Sequence, residues 1–311
     1  MANAYTDTSA IAGLVKTAYD RYVEFALRSQ PLIRSVADKR PAQQAMPGSS
    51  VVFSIYNDLA AATSALTETT DPDSVALSDV STVSVTLNEY GNTALKTRKL
   101  DLTSFSDVDP AVADIVAFNM ADSLDQVAMA TLRAGSNVLY GGAATSTATV
   151  SAAGVITSAL IRKAVAKLRA GKAVPRAGSL YWVGIHPEVS HDLRAETGSV
   201  GWRDIHATDA TNAGNIFAGT IGTYEGAFFV ETPRMYNATD GASSARNYRT
   251  ILCGKQALAE AVAQEPGVVI GPVTDKLNRF RPIGWYGVLG WSIYRQEALY
   301  RIETGSSIAA L

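Results

Sequence analysis

Apolar positions recur at three and four residues in the first segment of the chain. Ser9 stands as a helix cap before Ile11, Val15, Ala18, Tyr19, Tyr22 and Ala26, a spacing that places one apolar stripe on an amphipathic helix. Pro31 ends the pattern, and a second apolar group follows at Leu32, Ile33 and Val36. A helix with a single stripe must bury it. Two destinations are open, the chain's own domain or a neighbouring molecule. Past the breaker Pro47-Gly48-Ser49-Ser50 the period changes. Residues 51–56 have strand composition, and residues 83–87 alternate apolar with hydroxylated side chains. Between them runs a polar stretch, Thr63 to Asp79, with Glu68, Asp71, Asp73 and Asp79. This reads as a long hairpin with an acidic tip. A ten-residue strand spans ~33 Å, and an isolated ribbon is marginal in water. The hairpin needs a partner surface.

Asp109 and Pro110 suit the cap and first position of the clearest helix. Val112, Val116, Met120, Leu124 and Val127 form its stripe, and Gly135 ends it. About 25 residues make ~38 Å of rod, long enough to serve as a spine. Residues 136–157 are rich in Gly, Ser, Thr and Ala and read as a loop or small hairpin. Ser158 to Ala170 forms a second amphipathic helix, with Leu160, Ile161, Val165 and Leu168 inside and Arg162, Lys163, Lys167 and Arg169 on a solvated face. From residue 180 the pattern alternates. Strands are expected at 180–185, 227–231, 249–253, 287–294 and 298–302, and helices at 187–195 and 256–262. The class is α+β.

Composition narrows the functions. The 311 residues are 47% hydrophobic and 18% charged, with a net charge of -2. The densest basic group, Lys96-Thr97-Arg98-Lys99, is short, so phosphate-driven nucleic-acid binding is not the primary role. Cys253 is the one cysteine, which excludes an intrachain disulfide. No signal-peptide pattern and no run of ~18 apolar residues is visible.

Catalytic chemistry is poorly supplied. His186 and His191 lie five apart with Glu188 between them, which is not the spacing of a helical zinc pair, and Pro187 breaks the geometry. His206 has no evident partner in the sequence. The glycines at 219, 222 and 226 precede a strand, the wrong order for a dinucleotide fingerprint, and read as turn residues. Gly254-Lys255 lacks the rest of a phosphate loop, and Asp71-Pro72-Asp73 reads as a solvated turn. No catalytic, cofactor-binding or metal-ligating residue is assigned. A hydrolase on the 180–262 lobe would have to use His186, His191 and Glu188.

The order of arm, hairpin, spine helix, small-residue loop, α/β lobe and returning strands resembles the major capsid proteins of tailed bacteriophages, the Hong Kong 97-type fold. Local text is similar too: Tyr19-Asp20-Arg21, Gln43-Gln44-Ala45-Met46-Pro47-Gly48-Ser49, Gly222-Thr223-Tyr224-Glu225-Gly226, Thr232-Pro233-Arg234-Met235 and Cys253-Gly254-Lys255-Gln256-Ala257-Leu258. The last is similar to that family's strand-to-helix step. The resemblance implies an N-terminal arm at 1–46 and an extended loop at 47–100. It implies a peripheral domain at 101–175 and 275–311, with its spine helix at about 109–134, and an axial domain at 176–274. It further implies pentamers and hexamers that close an icosahedral shell around double-stranded DNA, with only non-specific DNA contact and no membrane. A bacterial nanocompartment shell on the same fold is the alternative. Some relatives begin with a long charged scaffolding segment. This chain reaches its arm within about ten residues, so either a separate scaffold protein or an already trimmed chain is expected, with Met1 favouring the separate scaffold, together with a portal and room for a decoration protein. The resemblance also implies a product located in the virion and assembled in the host cytoplasm.

Overall fold

The computed structural model describes residues 28–41, 50–56, 58–69, 71, 73–76, 81–103, 108–196, 222–273 and 275–308. The helix expected over 9–26, the turn at 47–49, Asp79, Gly219 and His206 lie outside them.

In chain order the strands are β1 (Asp38–Pro41), β2 (Ser50–Ile55), β3 (Ser81–Thr86), β4 (Asn88–Thr97), β5 (Val138–Tyr140), β6 (Tyr181–Ile185), β7 (Thr223–Tyr224), β8 (Ala227–Glu231), β9 (Asn237–Ala238), β10 (Asn247–Cys253), β11 (Leu258–Ile270), β12 (Phe280–Ile293) and β13 (Leu299–Thr304). The helices are α1 (Arg98–Thr103), α2 (Val108–Leu132), α3 (Ser158–Ala170) and α4 (Pro187–Ala195). They build three sheets. Four strands run in the order β1-β11-β12-β4. Seven form the path β5-β13-β10-β6-β8-β7, with β9 on β10. The ribbon β2-β3 stands as a separate pair.

The seven-stranded sheet follows local chemistry closely. β6 is buried at every position, as a central strand covered on both faces requires. α3 lays Ile161, Ala164, Val165 and Leu168 on the sheet and keeps Arg162, Lys163, Lys167 and Arg169 exposed. Thr157 caps it, accepting from the Leu160 amide. The expected glycine turn joins β7 to β8. Its two central residues, Glu225 (φ 50) and Gly226 (φ 81), both sit in the left-handed region, as a tight primed hairpin turn requires.

The spine helix has 25 residues and starts at Val108, one residue before the expected cap. Val116 and Leu124 pack on Val262, Ile283, Trp285 and Leu289 of the four-stranded sheet. The Trp285 indole N–H donates to Asn119 Oδ1 at 2.9 Å. Further along, Ala128, Met129 and Leu132 meet Ile33, Val36 and Ala37. The second apolar group of the arm is thus buried in the chain's own core at Ile33 and Val36.

Three readings are corrected. Residues 256–262 are not a helix but a turn leading into β11, so Cys253 to Leu258 is a strand-to-strand step. Leu-Ala-Glu-Ala-Val-Ala is helix-prone in isolation, but pairing with β12 over Leu258–Ile270 and with β1 overrides that propensity. Its register shifts around Gln264 and Gly267 accommodate Pro266, which has no ladder donor. β4 was not foreseen. It is an edge strand of mostly exposed polar residues, without an alternating pattern to mark it. The hairpin, finally, is not wholly without an intrachain partner. Its paired strands have six residues each, about 20 Å, and their root packs on the chain itself.

Candidate assembly surface

The hairpin root docks through one apolar row. Phe53 and Val85 are buried against Ala259, Ala261 and Tyr294, with Val51, Ile55, Val83 and Leu87 around them. The Phe53 and Tyr294 rings meet edge to face, 5.8 Å between centroids. Gly290 makes the approach possible: a Cβ there would lie 2.0 Å from the Thr86 carbonyl oxygen. Beyond the root the contact ends. Every described residue from Asp58 to Ala76 is exposed, including Leu59, Leu66 at 76% and Val75 at 75%. Burying one such side chain is worth roughly 1.5–3 kcal/mol, so the loop carries unspent association energy.

A second exposed apolar region lies at the far end of the four-stranded sheet. Leu95, Leu102, Val268, Val269, Ile270 and Leu277 face solvent there. Large apolar areas of this kind mark interaction surfaces.

The elements behind these surfaces are joined by ion pairs. Arg34 donates from Nε and Nη2 to Glu260 Oε1 at 2.8 and 2.6 Å, and Glu260 is fully buried on β11. The Arg34 backbone N–H donates to Asp125 Oδ1 of α2 at 3.0 Å. Arg234, in the loop after β8, donates to Asp125 Oδ2 at 3.0 Å and also binds Asp122. Burial opposes the Arg234 charge, but its hydrogen bonds to Asp122 and Asp125 outweigh that and raise its pKa. Arm, spine helix and both large sheets are thereby tied at one junction. A second buried carboxylate, Glu303, lies between Arg301 at 2.8 Å and Arg249 at 3.3 Å. Neither junction was foreseen. Arg234 sits in the Thr232–Met235 string singled out by its text alone, and that string was the only available signal.

The structure places the three residues a hydrolase would need along α4 and its cap. His186 caps α4 through Nδ1, accepting from the Glu188 amide at 3.3 Å, and stacks on Tyr248 at 5.0 Å. Burial lowers its pKa. Glu188 accepts from the Tyr248 hydroxyl. His191 projects outward beside Asp192. The Lys255 amide donates to the Val174 carbonyl, which gives it a structural use. Among the described residues no group of three or more His, Cys, Asp or Glu could hold a metal ion. Among them too, no helix is long and apolar enough to cross a membrane.

A family model described as phage capsid protein matches residues 8–298, and the chain belongs to that family. It is a major capsid protein of the virion shell. No curated protein matches it. The fold is that of solved phage capsids. The cyanophage Pam1 capsid asymmetric unit superposes with a TM-score of 0.76 at 16% identity, covering 97% of this chain and 100% of that one. The capsid of Ralstonia phage GP4 gives 0.73 at 15% identity, covering 94% and 96%. That of Helicobacter pylori bacteriophage KHP30 gives 0.73 at 15% identity, covering 98% and 99%.

Proposed function

We propose that the subunits form pentamers and hexamers that close into an icosahedral shell around double-stranded DNA. The observation that carries this reading is the hairpin: its root is fixed on its own sheet while every described residue of its tip is exposed. The tip of the extended loop at 47–100 lies across an adjacent subunit, and the arm at 1–46, rooted in its own core at Ile33 and Val36, reaches another. We assign the axial domain to the seven-stranded sheet with α3 and α4, and the peripheral domain to α2 with the four-stranded sheet. Relative to the boundaries expected from sequence, this moves 138–140, 158–170 and 299–304 to the axial side and 258–270 to the peripheral side. The subunit has no catalytic role, and His186 and His191 serve packing and solvation. A separate scaffold protein and a portal take part in assembly in the host cytoplasm, and a decoration protein can bind outside. The near-neutral charge suits a wall that must not hold DNA against packaging or ejection. The nanocompartment alternative differs in what fills the particle, and the match to a phage capsid family weighs for DNA.

The loop's role has a direct test. Deleting Thr63 to Asp79 leaves a subunit with wild-type circular dichroism but abolishes stable shells in electron micrographs. Shells of wild-type yield and stability from the deleted chain refute the interlocking role.

A further inference from the structure

We propose that the acidic tip of one copy's hairpin docks into a cationic cleft at the far end of the four-stranded sheet of a second copy. This rests on the shell reading and adds to it the partner surface and the force that holds it. The cleft, about 470 Å³, is lined by Lys96, Arg98, Arg279 and Arg281, with Gly271, Pro272, Val273 and Asn278 between them. Strand pairing creates it. β4 and β12 set Lys96 directly opposite Arg281, and the Arg98 amide donates to the Arg279 carbonyl at 2.8 Å. Lys96 is buried there, so the exposed guanidiniums are what an incoming anion meets. Asp275 engages Arg279, while Arg98 and Arg281 remain exposed.

The tip supplies the complement. Between residues 58 and 76 the chain carries Asp58, Glu68, Asp71 and Asp73 and no lysine or arginine. All four acids are exposed, so the tip is not seated in the cleft of its own molecule. Exposed Leu59, Leu66 and Val75 accompany the acids, and exposed Val273 and Leu277 flank the cations. That apolar match favours the protein tip over a nucleic-acid phosphate, which would use the charge alone.

Full-length chains test this. Wild-type shells form at ~0.1 M NaCl and come apart at ~1 M, because the screening length falls from about 10 to about 3 Å. The double reversal Arg98→Glu/Arg281→Glu yields no shells. Adding Glu68→Lys/Asp71→Lys/Asp73→Lys to the same chain restores them. The proposal is overturned if the reversal gives shells as salt-resistant as wild type, or if the combined chain is not rescued. It is equally overturned if the reversal lowers only the DNA content of normal shells, which would make the cleft a phosphate site. A second measurement does not depend on shells: an Asp71→Cys/Arg281→Cys chain treated with a short bis-maleimide gives interchain products, and monomer alone refutes the contact. Interchain products without particles would sink the shell reading but not the docking.

Discussion

Replacing Arg34 by Met tests the ionic junction. The change keeps the backbone N–H that binds Asp125 and preserves most of the side-chain volume. It removes the guanidinium from Glu260, whose side chain is 0% exposed, and from Glu265, which is 66% exposed. The outer contact contributes little, since surface pairs are worth about 0–1 kcal/mol. The inner one matters because the remaining carboxylate is buried and uncompensated. Breaking a buried pair costs roughly 3–5 kcal/mol. Arg34 is itself 23% exposed, so the lower end, about 3 kcal/mol, is expected. The assay is urea unfolding of unassembled subunit, followed by tryptophan fluorescence from buried Trp182 and Trp285. The midpoint falls while the slope stays constant. The double variant Arg34→Met/Glu260→Met regains most of the loss, because replacing both partners with apolar groups is often neutral or stabilising. A single-variant loss below about 1 kcal/mol, or a double variant no better than the single, refutes the assignment of a buried charge pair at the arm–sheet junction.

Two further outcomes follow from named contacts. Gly290→Ala forces the Thr86 carbonyl away and should cost about 1–3 kcal/mol, with amide exchange accelerating in β2 and β3 but not in β6; unchanged exchange would show that the root is not docked as described. Burial, with the hydrogen bond to Glu188, pushes the Tyr248 hydroxyl up to about 12 from 10 in the unfolded chain. Its contribution is therefore complete below pH 10 and lost as pH rises towards 12. The urea midpoint of wild type should fall more steeply over that window than that of Tyr248→Phe, and equal slopes would contradict the environment described.

The parts legible in the sequence are those whose local pattern and tertiary role agree. α3 shows its stripe, β6 its apolar run, and the β7–β8 turn its glycine. β11 was misread because its alanine-rich text favours helix while its neighbours dictate strand. β4 was missed because an exposed edge strand has no alternation to display. The assembly surface was legible as an acidic, apolar-poor insertion needing support, but its root on Ala259, Ala261 and Tyr294 depends on residues some 200 positions away. Arg34, Asp125, Arg234, Glu260 and Glu303 look like ordinary surface charges in the text. Only the fold brings them together and takes them out of water.

The most direct measurement of the central claim is an electron micrograph of the purified, full-length product, with nuclease-protected nucleic acid assayed in the same fractions. The account predicts closed icosahedral particles, and particles from infected cells that protect double-stranded DNA. A compact monomer under all assembly conditions, with residues 50–100 resistant to protease, would contradict it.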